Sequence, residues 1–295
     1  MVILSINKSK KMNKILIIIF LITITNSELK AGGGWVNPKG KGFFKLSEWW
    51  VISDSHYTGF GVDPNITTGL FNTNLYAEYG ISERTEAIIN FPIFSRAYTN
   101  DEISGTTGKV IIPGDAINSL GDTDLGIKYA IVRNKPFVLS ATLLLGIPLG
   151  KSDSGNRGTL ETGDGEFNQQ LIFNLSTSKS IGSFNTFYTV NLGFNNRTKG
   201  FSDELRYGIE VGAIFKKKII GVYRILVLKS LKNSTFEESN GATIFASDTE
   251  FSSYTYELSY EFKEKYGLTA NVGGAFSGKL IFANKTYSVG VYMKL

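Results

Sequence analysis

The stretch GDTDLGIKYAIV, residues 121–132, decides how the chain is read. It places Asp122, Asp124 and Lys128 on one alternation and Thr123, Leu125, Ile127, Tyr129 and Ile131 on the other. A period of two is the period of a strand, so one face of this strand is charged and the other apolar. In a soluble sheet the apolar face meets a packed core. In a membrane barrel it meets lipid, and the charged face meets a wet interior.

The same alternation recurs along the chain in segments of about ten to fourteen residues. LFNTNLYAEYGI sets Phe71, Leu75, Ala77, Tyr79 and Ile81 against Asn72, Asn74, Tyr76 and Glu78; TEAIINFPIF sets Ala87, Ile89, Phe91 and Ile93 against Glu86, Ile88 and Asn90. EFNQQLIFNLSTS opposes Glu166, Asn168, Gln170, Asn174 and Ser176 to Phe167, Leu171, Phe173 and Leu175. ELRYGIEVGAIF is the cleanest case, with Glu204, Arg206, Gly208, Glu210 and Gly212 opposite Leu205, Tyr207, Ile209, Val211, Ala213 and Phe215. FVLSATLLLGI, FNTFYTVNLGF, IIGVYRILVL with Arg224, YTYELSYEF with Glu257 and Glu261, GLTANVGGAF and YSVGVYMKL continue the series. FFKLSEWWVI near residue 43 completes twelve, although Glu48 leaves its facing open.

Connections alternate between short (GISERT, RNKP, SKSIGS, KKK, KEKYG) and long, the long ones running roughly over 54–68, 97–121, 149–165, 195–203, 230–249 and 277–286. Five tight turns and six longer loops are what an up-and-down barrel with both termini on one side requires. Three observations favour lipid outside over a soluble sandwich. Segments of about ten residues match a tilted bilayer span, whereas soluble strands average nearer five or six. Tyr79, Phe94, Tyr129, Phe137, Tyr188, Phe194, Tyr207, Phe215, Tyr223 and Phe276 stand near strand ends, where interfacial girdles form. And a twelve-stranded barrel could not fit roughly fifty large apolar side chains into its lumen. The expectation is an all-β fold: a transmembrane antiparallel up-and-down β-barrel of about twelve strands in the cell outer membrane, over residues 42–295.

Residues 1–31 read as a signal peptide: Lys8, Lys10, Lys11 and Lys14 precede the apolar run Ile15–Ile22, which is too short to span a bilayer, and the small-residue exit AGGGW follows. Residues 32–41 then form a flexible periplasmic segment or enter the lumen as a short plug. The leader carries four of the five net positive charges, so the mature chain is near neutral and offers no basic face for nucleic acid. With no cysteine, disulfides, thiol catalysis and Cys-ligated zinc are excluded.

GDTDLGIKYAI, the turn VRNKP, the strand end LLLGIPLG and the downstream TGDGEFNQQL together resemble the outer-membrane transporters typified by the putative meta-pathway phenol-degradation proteins, themselves distantly like the long-chain fatty-acid channels. The resemblance covers residues 70–295. It implies a barrel that moves small molecules, hydrophobic or aromatic ones among them, across the Gram-negative outer membrane. The C-terminal strand is similar to the signal read by the barrel-assembly machinery, with Leu295 where an aromatic residue is usual.

The residues expected to line the pore are Glu78, Asp122, Asp124, Lys128, Glu166, Asn168, Gln170, Glu204, Arg206, Glu210, Arg224 and Glu257. Mixed signs fit a selectivity lining and a bracing ion-pair network equally well. His56, the one histidine, stands beside Ser53, Asp54 and Ser55, but triad partners normally come from separate elements, so no catalytic role is assigned. Asp153, Glu161, Asp164 and Glu166 match no calcium-loop spacing. The function expected is passive passage of small solutes, with no enzyme activity, metal or cofactor, and with lipid, solute and assembly machinery as partners. A structural or adhesive barrel with a closed lumen is the alternative, and a barrel hydrolase a more distant one.

Overall fold

A computed structural model describes residues 33–58, 60–235 and 244–295; the expected signal peptide lies outside the described residues. Twelve long strands form the wall: β1 Gly42–Tyr57, β2 Val62–Gly80, β3 Thr85–Thr99, β4 Thr123–Val132, β5 Phe137–Ile147 and β6 Asn168–Ile181. The second half is β7 Phe184–Arg197, β8 Glu204–Phe215, β9 Ile219–Ser230, β10 Glu250–Phe262, β11 Tyr266–Lys279 and β12 Thr286–Lys294. Each pairs antiparallel with the next, and β1 pairs with both β2 and β12, so the sheet closes into a twelve-stranded barrel with no free edge. All-β, up-and-down and closed is therefore the fold, as the alternation predicts.

The turns at one end are tight because the chain supplies left-handed residues there. Lys216 and Lys217 have φ of 49° and 57°, and Lys263 and Glu264 of 53° and 58°. Two consecutive positive φ values give primed turns, whose twist matches that of the flanking strands. At the loop end the strands run further than the apolar pattern indicates. The loop expected over 54–68 shrinks, since β1 continues to Tyr57 and β2 starts at Val62. Within the expected loop 97–121, Asp115–Ser119 pairs with β3 and Glu102–Ile103 pairs with Val110–Ile112. Beyond the bilayer, ladder hydrogen bonds persist while nothing requires one face to be apolar, so the sequence signature stops before the strand does.

In β4, Ile127 is 55% exposed and Lys128 4%, which settles the facing of the opening stretch: lipid side chains out, ions in. The outer belt repeats this on every strand, from Leu143 and Leu171 to Leu258, Leu268 and Val291, all exposed. Aromatic residues rim it near the turn end at Tyr79, Tyr129, Phe137, Phe184 and Tyr266, and near the loop end at Phe94, Phe194, Tyr207 and the stacked pair Trp50–Tyr287. One carboxylate breaks the belt. Glu48 pairs in register with Thr73 and accepts a 2.7 Å hydrogen bond from its hydroxyl, whereas its neighbours Ser47 and Trp49 pair with Asn74 and Asn72 on the inner side. The first strand therefore turns its glutamate to the lipid.

Candidate functional site: the lumen and its two ends

Among the described residues, polar groups concentrate in the lumen in three multi-residue ion-pair centres, with a further single pair, Lys294 and Glu261, at the turn-end rim. On β4, Lys128 reaches Glu86 of β3 at 2.5 Å and Glu78 of β2 at 3.6 Å, with Glu86 fully buried. On β9, Arg224 donates from Nε to Glu210 of β8 at 2.5 Å and from Nη1 to Glu257 of β10 at 2.9 Å. These two centres lie in the half of the barrel nearer the short turns. At the loop end, Arg197 at the tip of β7 binds Glu166 at 2.9 Å, Glu204 at 3.0 Å and Asp164 at 2.8 Å, with its guanidinium 4.4 Å above the Phe201 ring. Arg206 shares Glu204 at 2.5 Å.

All twelve expected lining residues stand on or just before the inner face. Asp124 accepts from Asn90, which in turn accepts from Asn74, and Gln170 accepts a 3.4 Å bond from Arg206. Asn168 faces Gly146 across the β5–β6 ladder. Asp122 and Glu166 precede their strands and work as loop anchors. Asp122 accepts from the amides of Gly150 (2.9 Å) and Asp164 (2.8 Å), a contact that needs glycine at 163, where a Cβ would fall 2.1 Å from its carboxylate. Burial raises the Asp122 carboxyl above its ordinary range, and burial together with the neighbouring Asp122 raises Asp164 to about 6, against the opposing pull of Arg197.

Both mouths are narrowed by the chain itself. At the turn end, residues 33–38 run inside the barrel from an exposed turn at residues 39–41 on its rim. Gly40 donates to the Gly80 carbonyl, the Asn37 amide donates to Glu86 at 2.6 Å, and the Trp35 carbonyl accepts from Lys128 at 3.3 Å. The Gly34 amide donates to Ser176 of β6 at 2.9 Å, and Gly33 lies against Thr189 of β7. In a ring of twelve, β7 stands diametrically opposite β1, so this strap crosses the whole lumen. Gly33 has a φ of 66°, and a Cβ there would sit 2.6 Å from Thr189 Oγ1, so glycine alone fits the far wall. At the loop end, Leu160 of the 148–167 loop packs with Val51, Leu70, Ala97 and Phe282, flanked by Trp49, Ile117, Ile244 and Phe245. This small apolar lid lies inside the outer mouth.

Lys45, Arg197, the strap anchors and the lid were not singled out from sequence. Arg197 sits in FNNRTKG, where a loop was expected, and Leu160 and Phe282 are isolated apolar residues in polar loops. Of the catalytic candidates, Ser53 Oγ donates to Ser55 O and Asn284, Asp54 accepts from Ser55, and His56 packs against Phe282 with the rings 5.0 Å apart and inclined at 59°, neither ring nitrogen being hydrogen-bonded. Among the described residues no three His, Asp or Glu side chains are grouped as metal ligands.

No protein-family profile matches the chain, and no curated protein matches it. Solved structures do. The COG4313 outer membrane channel from Pseudomonas putida F1 superposes with a TM-score of 0.57 at 12% identity, over 91% of this chain and 100% of that one. The NanC porin superposes with a TM-score of 0.50 at 11% identity, over 85% of this chain and 100% of that one. The chain is an outer-membrane β-barrel. At these identities the likeness extends to the fold alone, and it does not show the membership of the phenol-degradation family that the sequence resemblance suggests.

Proposed function

We propose that this barrel is a passive channel for small molecules, with its conductance set by the strap and the lid. The observation that carries this reading is the inner face, polar and ionised from Asp122 and Glu204 at the loop end to Lys128 and Arg224 nearer the turns, inside a closed wall whose outer face is apolar. Such an inner face is wettable, and wetting is what passage of polar solutes requires. The twelve-stranded ring has a Cα radius of about 12 Å by strand spacing and tilt, which leaves a lumen about 12 Å across once inner side chains are placed. The apolar lid of Val51, Leu70, Leu160 and Phe282 is the first surface a hydrophobic or aromatic solute would touch, in keeping with the solute class implied by the family resemblance.

The lumen is read as a conduit and not as an active site because His56, Ser53 and Asp54 form no nucleophile–base pair. A bracing role for the ion pairs, with the lumen closed, is the competing reading, since both mouths are partly occupied. Swelling of liposomes carrying the refolded barrel, with a panel of sugars, amino acids and aromatic solutes, separates the two. Solute entry that scales with size supports the channel. Absence of swelling and of any single-channel opening, in protein that is folded by heat-modifiable gel mobility, refutes it.

A further inference from the structure

In three lumenal ion-pair centres carboxylates outnumber cations by one: two against Lys128, two against Arg224, and three against the Arg197–Arg206 pair, while a fourth pair, Lys294 with Glu261 at the turn-end rim, balances one for one. Asp124 adds a further carboxylate on the inner face, held by the neutral side chain of Asn90 and by no cation in contact. Among the described residues, the one inward cation on the barrel wall that makes no ion pair is Lys45. It pairs in register with Tyr76 and Tyr292 and lies within electrostatic range of Glu257 and Arg224 from the facing strands, without touching either.

These are two separable facts, an excess of fixed negative charge along the wall and a single uncompensated ammonium in the half nearer the turns. Fixed charge on a narrow wall concentrates mobile ions of the opposite sign and expels those of the same sign. We propose that, among charged solutes, the lumen admits cations in preference to anions, and that Lys45 is the specificity-determining residue that limits this preference. The inference rests on the channel reading and names the charge class of the solutes that the channel takes. A potassium ion or a protonated amine passes from one over-neutralised centre to the next. An anion finds, among the described wall residues, only Lys45 unpaired. The paired arginines and Lys128 do not help it, because their charge is already spent on carboxylates at 2.5–3.6 Å.

The test is the reversal potential of the purified barrel in planar bilayers under a KCl gradient at pH 7.5, read as the potassium-to-chloride permeability ratio. A ratio above about 2 is expected for the unaltered protein. Lys45→Gln removes one unit charge acting across about 8 Å of wet lumen, which raises the ratio by about two- to fivefold. Asp124→Asn, which leaves every ion pair intact and keeps an oxygen for Asn90, lowers it by a comparable factor. Folding of each variant is checked by heat-modifiable gel mobility, and the measurement on the unaltered protein stands whether or not a variant folds. A ratio at or below 1, or a Lys45→Gln ratio equal to that of the unaltered barrel, overturns the inference and leaves the channel reading in place. Folded protein without any conductance overturns the channel reading and this inference with it.

Discussion

Substituting Gly33 by Val tests whether the strap obstructs the pore. The residue sits at φ 66°, where a side chain costs about 1–2 kcal/mol, more if β-branched. The new Cβ would stand 2.6 Å from Thr189 Oγ1 and 3.1 Å from its Cγ2, and such overpacking adds about 1–3 kcal/mol. Against this combined strain of roughly 3 kcal/mol stands one neutral hydrogen bond from Gly34 to Ser176, worth about 1 kcal/mol. The tip therefore detaches from the far wall. The next anchors, Trp35 O on Lys128 and Asn37 on Glu86, involve charged groups worth about 1.5–3 kcal/mol each, so the strap remains tethered near its base. An extended backbone about 5 Å wide across a lumen about 12 Å wide obstructs about half its section. Releasing the tip raises single-channel conductance by about 1.5- to twofold in 1 M KCl, where long-range electrostatics are screened. Folded Gly33→Val barrels with unaltered conductance would show that the strap does not limit flow.

Three further predictions concern the loops and the belt. Arg197→Met strands the buried carboxylates of Asp164 and Glu166 and leaves Glu204 to Arg206, and breaking such a centre costs about 3–5 kcal/mol; the 148–167 loop should become susceptible to limited proteolysis in intact cells, and a loop as resistant as before would refute its role as the latch. Asp164 takes up its proton more readily in the folded barrel than in the unfolded chain, so its contribution to stability is present at acid pH and is lost as pH rises from about 4 through about 6. Asp164→Asn should accordingly flatten the dependence of loop protection on pH across that window, and an unchanged slope would count against it. Glu48→Leu should stabilise the barrel in lipid by about 1–2 kcal/mol in urea titrations, because a carboxylate in the apolar belt is disfavoured and Thr73 is its one hydrogen-bond partner; destabilisation would mean that Glu48 does not face lipid.

The wall of this protein was legible in its sequence and the mouths were not, for a reason visible in particular residues. A transmembrane strand has two solvents, and each imposes its own residue types at every second position, so Ile127 and Lys128 declare their sides without reference to anything distant. Glu48 left the facing of the first strand open because its side is apolar everywhere except at one hydrogen-bonded pair, and the partner Thr73 lies on the next strand. Arg197 looked like a loop residue because its three carboxylates come from positions 164, 166 and 204, brought together by the register of the two strands that flank its own. Gly33 was one of three consecutive glycines, and nothing in AGGGW says that the far wall stands within reach.

Local alternation and turn chemistry thus determined the class of fold, the number of strands and which ions face inward, since each is fixed by a residue and its nearest neighbours in the chain. The tertiary structure alone decided which of those ions neutralise one another, which one is left unpaired, and that a peptide segment crosses the turn-end mouth. The ion pairs depend on the register between neighbouring strands and the strap on distances across a closed ring, and the closure brings together residues that the chain keeps two hundred and thirty-one positions apart, as in the bond from Ser53 to Asn284.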